Sequence, residues 1–253
     1  MRSNQDIDWD GFNAETYREH YFNTIGNEDW WIAQEALRFL STIMSHTAPL
    51  KRAADIGSGP SILLPLVCVP FVEQIELIEP GLKNVSYLQS ILSNLDKLRN
   101  DWGGHLQRIL KESSAVSAHT QADELLCARG TVRKAGIADL DNNSYDLVTS
   151  IFCAESVTES KKECADLIQK VLASLKKGKP FIAAYIEHSK GYPDQSFDTL
   201  SGEIETKKFP AADIDEEWLR RQYVGTNIQI KRCPYPPGMR AGYTGVLLAI
   251  GTK

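Results

Sequence analysis

From about residue 51 the chain alternates short apolar runs with amphipathic ones, which is the rhythm of strands followed by helices. Residues 52–56 and 75–78 read as two short buried strands, 146–151 as a third and 181–186 as a fourth. Residues 228–230 and 246–250 read as a closing pair of strands. Between the first two lies an apolar stretch, 62–69, carrying Pro65 and followed by Pro70. Proline is accepted in the first turn of a helix but not deep inside one, so this helix is expected to be short or kinked. Val85, Leu88, Ile91, Leu92, Leu95 and Leu98 fall on one helical face. Cys164, Leu167, Ile168, Val171, Leu172 and Leu175 mark a later helix. Lys176, Lys177 and Gly178 close it, since cations suit the negative helix end and glycine suits a left-handed cap.

Two stretches stand apart. Residues 1–50 are rich in aromatics (Trp9, Phe12, Tyr17, Tyr21, Phe22, Trp30, Trp31) and run into a helix-like segment at 32–44; Trp30 and Trp31 are expected in the core. Residues 103–133 show no clear period, and 125–127 are the candidate strand there. The fold expected is α/β, a mainly parallel sheet covered by helices on both faces. Residues 1–50 would form a helical lid and substrate cap, and 51–253 the ligand-binding domain.

Composition narrows the picture only mildly. A chain of 253 residues with 42% hydrophobic and 24% charged content can bury a full core as one α/β domain. The formal net charge of -5 argues against nucleic acid as partner, because phosphate recognition asks for a basic surface. Five cysteines without a CxxC pair argue against zinc and for buried free thiols in a reducing compartment. No apolar run follows Met1, so neither a leader nor a membrane span is expected, and the chain reads as cytoplasmic. Its partner would be a small molecule, with the chain a monomer or weak homodimer.

The chemistry concentrates at Asp55-Ile56-Gly57-Ser58-Gly59-Pro60-Ser61, between a strand and a helix. Glycines there let the backbone turn tightly and come close to a ligand. Glu79, at the end of the next strand, is a carboxylate placed to accept hydrogen bonds from both ribose hydroxyls of a nucleoside. A dinucleotide site would want a third glycine where Ile62 stands. Pro60 and Ser61 are also unlike a pyrophosphate cradle. S-adenosylmethionine (SAM) carries no phosphate, and it is the adenosine ligand this corner suits, with S-adenosylhomocysteine (SAH) as product and no metal.

These motifs resemble a known group, the small-molecule N-methyltransferases that include the nicotinamide, phenylethanolamine and thioether/indolethylamine enzymes. Residues 12–22 are similar to its N-terminal tyrosine motif, Asp55 to Ser61 to its glycine loop, and Glu79 with Asn84 to its acid-plus-asparagine pair. Tyr145-Asp146-Leu147-Val148, Cys153 and residues 175–178 fit its later strand and helix. The resemblance implies a Rossmann-like, mostly parallel seven-stranded sheet with an N-terminal helical lid. It implies that Tyr17 lines the methyl-transfer pocket, and that Tyr21 and Phe22 sit on the lid over SAM. Gly57, Ser58, Gly59 and Ser61 would hold the methionine moiety, Glu79 the ribose, and Asn84 would support it. Three positions depart from the family pattern: Phe22 and Leu63 replace tyrosines, and Ala128 stands where an adenine-binding aspartate is expected if 127–129 is the matching stretch. The backbone N–H of Arg129 would then serve adenine.

Methyl transfer from a sulfonium is an in-line displacement that asks mainly for alignment and exclusion of water. Candidate pocket residues follow the later strands: Phe152 beside the cofactor, Glu155 as a catalytic or cation-pairing acid, and Tyr185, Glu187 and Tyr192 around the acceptor. His188 reads as a surface or packing residue. The expected activity is N-methylation of an amine or ring nitrogen. The alternatives are cyclisation of SAM itself with release of methylthioadenosine, and a non-catalytic SAM-binding domain.

Overall fold

The computed structural model describes residues 3, 8–11, 18, 26–45, 47–112, 121–193, 208–239 and 242–253. Four strands, β1 (Leu50–Ile56), β2 (Val72–Glu79), β3 (Gly130–Lys134) and β4 (Leu147–Ile151), lie parallel with β5 (Pro180–Glu187). Two short strands, β6 (Tyr192–Pro193) and β7 (Lys208–Phe209), pair with each other. The last two, β8 (Asn227–Arg232) and β9 (Gly245–Thr252), are antiparallel, and β9 pairs antiparallel with β5. The main sheet is seven-stranded, in the order β3-β2-β1-β4-β5-β9-β8. The order reverses at β1, and a crevice opens there above the carboxyl ends of β1 and β4, the place where ligands bind in open α/β sheets.

Side chains alternate between two cores, as strand geometry requires. Ala53, Ile75, Leu77, Leu147, Ile182, Leu248 and Ile250 face one core, and Ala54, Ile56, Ile78, Val148, Ala183, Leu247 and Ala249 face the other. The first core packs against α1 (Asn27–Met44), α2 (Leu63–Cys68), α3 (Leu82–Leu92), α4 (Leu95–Glu112) and α5 (Ala122–Arg129). The second packs against α6 (Lys161–Ser174) and α7 (Glu216–Gln222). Helix α1 belongs to the core layer: Trp30, Trp31, Ile32, Ala36 and Leu40 are all buried in it. Among the described residues no helix is long and apolar enough to cross a membrane, and all five cysteines are free thiols.

Several elements differ from what the pattern predicts. Residues 125–127 are not a strand; they lie in α5, and the strand follows immediately as β3. The apolar face from Val85 to Leu98 is split into α3 and α4, because the Asn94 carboxamide accepts the Lys97 N–H at 3.0 Å and starts a new helix. Pro65 sits in the first turn of the six-residue α2, and Pro70 in a 3₁₀ turn after it, as proline chemistry expects. Gly178 has φ +73°, but α6 ends at Ser174, so this glycine serves the turn into β5 and not the helix cap.

Candidate active site

The loop between β1 and α2 is shaped by Gly57 and Gly59, both with positive φ, +70° and +55°. At Gly57 the constraint is double: a Cβ there would lie 2.2 Å from Cys153 Sγ, so both conformation and space require glycine. The N–H groups of Gly57 and Ser58 donate to the Ile78 carbonyl, and the Ser58 hydroxyl donates to the Asp55 carbonyl at 2.9 Å. The loop is therefore pinned to β2 by its own backbone and side-chain hydrogen bonds. Across the sheet, Phe152 follows β4 with φ +53°, a costly conformation for a bulky residue. Its N–H is fixed on the Ala184 carbonyl at 2.9 Å.

Together these segments line a cleft of ≈ 1220 Å³, counted out to its open mouth. Gly57, Ser58, Gly59, Ser61, Glu79, Asn84 and Phe152 all line it, as do Leu63 and Cys153. Trp9, Pro80, Ala135, Gly136 and Ile137 close its β2–β3 side, and Trp9 stacks on Phe209 with ring centroids 5.9 Å apart. The loop after β3 therefore offers Ala135 and Gly136 to the cleft, which corrects the expectation for Arg129. Arg129 is the last residue of α5, its guanidinium donating to the carbonyls of Val69 and Val72 at 3.3 and 2.8 Å.

Glu79 is 4% exposed and ends β2. Its Oε1 accepts from the Gly81 N–H at 2.9 Å and Asn84 Nδ2 at 3.0 Å, and its Oε2 accepts from the Gly59 N–H at 3.0 Å. Burial raises its pKa, and those three donors pull it back down. A carboxylate offers about four acceptor sites, so Oε2 keeps room for one more donor. Beside it, Asn84 Oδ1 is buried and has no hydrogen-bond partner among the described residues. A buried acceptor without a donor is costly. One open site on Glu79 next to an orphan acceptor on Asn84 fits a vicinal pair of ribose hydroxyls.

The cleft is acidic. Asp29, Asp55 and Glu79 line it, and among its described residues there is no lysine, arginine or histidine. Asp55 is buried and accepts from the Thr149 hydroxyl, and burial pushes its pKa up to about 6. Such a lining repels a pyrophosphate and suits a sulfonium cation. The residues present thus fit SAM and not a dinucleotide.

Other predicted residues do not reach this cleft. Glu155 is fully buried; its Oε1 accepts the Ile186 N–H at 2.9 Å and its carbonyl accepts the Ala212 N–H at 2.7 Å. It joins the loop after β4 to β5 and is not placed to meet an acceptor. Tyr185 faces the second core and shares a 2.6 Å hydrogen bond with the Tyr223 hydroxyl. Glu187 is held by both guanidinium nitrogens of Arg232 and by the Thr244 hydroxyl, and Arg232 draws its pKa down. Tyr185 and Glu187 share one face of β5 by strand alternation, and Glu155 is drawn inward by its bond to the Ile186 N–H, so all three serve as structural partners. His188 is surface-exposed and pairs with Asp213 at 2.8 Å. The backbone of Tyr192 lies in β6. Tyr17, Tyr21 and Phe22 lie outside the described residues.

One feature the sequence did not signal is the tie between the first turn of α1 and the proline-rich segment after β8. Glu28, 2% exposed, accepts from the Gly238 N–H at 3.2 Å, the Met239 N–H at 3.1 Å and the Tyr243 hydroxyl. That segment joins β8 to β9 at the carboxyl edge of β5, the edge on which the cleft opens.

The sheet order, the pinned glycine loop and the acid at the end of β2 define a class I SAM-dependent methyltransferase. Residues 4–234 match the model of the NNMT/PNMT/TEMT family, and the chain belongs to that family. Its fold is shared with magnesium protoporphyrin IX methyltransferase of Synechocystis PCC 6803, solved with SAM (TM-score 0.56, 13% identity, covering 100% of this chain and 99% of the other). A SAM-dependent methyltransferase of Leishmania major is also similar (TM-score 0.54, 12% identity, 96% and 82% covered). So is the N-methyltransferase NodS of Bradyrhizobium japonicum WM9, solved with SAH (TM-score 0.53, 10% identity, 95% and 98% covered). No curated protein sequence matches this one.

Proposed function

We propose that this chain methylates a nitrogen of a small molecule, an amine or a ring nitrogen, with SAM as donor. The carrying observation is the cleft lining: three carboxylates, no basic side chain among the described residues, and a remaining wall of apolar and neutral polar groups. SAM, when bound, supplies a methyl group on a sulfonium leaving group. The chain's own task is then to hold the adenosine at Glu79 and Asn84, fix the approach with Gly57 and Phe152, and keep water out. An acceptor amine that arrives neutral needs no side-chain base, and Glu155, committed to the Ile186 N–H, leaves that position without one. On the family resemblance, Tyr17 lines the methyl-transfer pocket and Tyr21 and Phe22 close over the donor.

The test is incubation with SAM and a panel of primary amines, secondary amines and pyridine-type heterocycles, followed by mass spectrometry. The expected result is a singly methylated nitrogen product with equimolar SAH. Accumulation of methylthioadenosine from SAM alone, or SAH formation only with oxygen or sulfur acceptors, overturns the proposal.

A further inference from the structure

Two adjacent acids open α1, and the fold treats them differently. Glu28 is saturated by the segment after β8, through donors at Gly238, Met239 and Tyr243. Asp29 is also at least nine-tenths buried, 8% exposed, yet it lines the cleft. Among the described residues its carboxylate has no cation and no side-chain donor; only its own N–H assists it. The two other cleft acids have donors: Asp55 has Thr149, and Glu79 has Gly59, Gly81 and Asn84. A buried carboxylate facing an open cleft without a partner is a costly arrangement unless a ligand completes it.

The topology says which end of a ligand it meets. Glu79 enters the cleft from β2, on one flank of β1. Helix α1 packs on α2, which follows the glycine loop, and on β9, which lies on the opposite flank of β1, beyond β4 and β5. A nucleoside held at Glu79 therefore points its 5′ substituent toward Asp29. In SAM that substituent ends in an amino acid, whose ammonium is a fixed cation with three donors.

We propose that Asp29 receives the α-ammonium group at the amino-acid end of the bound cofactor. The assignment rests on the SAM reading of the cleft and adds a residue that no motif marks. Asp29 is here a binding residue that orients the donor; it takes no part in bond making. Burial first, and the neighbouring Glu28 charge second, push the Asp29 pKa up to about 7, which is the expected state of a carboxyl waiting for a cation.

The experiment is calorimetric titration of the full chain and its Asp29→Asn variant with SAH and with methylthioadenosine. The second compound keeps the thioether and adenosine but has no ammonium. The expected result is a loss of about tenfold or more in SAH affinity in the variant, the scale of one charge-assisted hydrogen bond, with methylthioadenosine affinity unchanged. Retained methylthioadenosine binding also shows that the variant is folded. Equal SAH affinity in both proteins overturns the proposal, as does an equal loss for both ligands. A wild-type chain that binds neither compound overturns the SAM reading itself, a separate outcome.

A second measurement needs no variant. Titrating the wild-type chain with SAH near neutral pH, in buffers of different ionisation enthalpy, reads the protons released on binding. The expected result is net proton release with SAH beyond that with methylthioadenosine. Of the other titratable groups lining the cleft, Glu79 faces the ribose common to both ligands, Asp55 keeps its Thr149 donor, Cys153 packs against Gly57, and Glu28 is held in its own contacts. Equal proton release for both ligands overturns the proposal.

Discussion

Glu79 ends β2 and Glu187 ends β5, and the two glutamates are equally buried, at 4% exposure each. Their electrostatics are opposite. Glu79 is surrounded by neutral donors, and burial raises its pKa; Glu187 faces the Arg232 guanidinium, which lowers it. A carboxylate paired with a cation is already spent. One held by backbone N–H groups stays fixed in place and keeps acceptor capacity for a ligand. The same residue type at the same strand end is thus a binding group in one half of the sheet and a structural pin in the other.

The contrast can be broken most directly at Glu79. Glu79→Ala removes the ribose acceptor and leaves the Gly59 and Gly81 N–H groups without their partner. SAH affinity is expected to fall about 100-fold, from charge-assisted hydrogen bonds of ~1.5–3 kcal/mol each, as read by calorimetry. Glu187→Gln should do the reverse: SAH affinity stays within about twofold, while stability falls. Arg232 is 49% exposed, so screening holds the cost to about 1 kcal/mol in urea denaturation. If Glu187→Gln loses SAH as strongly as Glu79→Ala, the division between the two sheet halves is wrong.

The smallest effect concerns pH. Asp55, with its pKa pushed up to about 6, favours the protonated form in the folded chain. Its stabilising contribution is complete below its unfolded value near 3.8 and is lost as pH rises through about 6. Glu187, with a lowered pKa, contributes above its unfolded value near 4.5 and is lost only in stronger acid. Melting temperature should therefore drop between about pH 4 and about pH 7, with Asp29, its pKa pushed up to about 7, adding to the fall, and Asp55→Asn should make that drop shallower. An unchanged slope in Asp55→Asn removes Asp55 from the account.

The parallel strands β1, β2, β4 and β5 were legible because strands buried on both faces leave apolar runs. The glycine loop and Glu79 were legible because backbone approach and ribose binding leave residue types at fixed spacing. Strand β3 was not, since it is an edge strand of sequence GTVRK, half polar on both faces. The neighbouring Leu125-Leu126-Cys127 run looked like the missing strand, because a short apolar run has no period of its own. Helix α7 escaped notice, though Asp215, which caps it by accepting the Trp218 N–H at 2.7 Å, was a usable signal. Glu155, Tyr185 and Glu187 follow strands as pocket residues would, but sequence does not say which way a side chain turns at a strand end. Asp29 had no signal: acids in a first turn are ordinary complements to the helix dipole.

The acidic lining of the cleft bears on turnover. Donor and product share adenosine, ammonium and carboxylate, and differ by the methyl group and one positive charge on sulfur. By charge alone, a site with Asp29, Asp55 and Glu79 and no opposing base among its described residues favours the more positive of the two. Each transfer removes one positive charge from the bound nucleoside, and comparing SAM with SAH affinity by calorimetry reads how far that loss loosens the spent nucleoside.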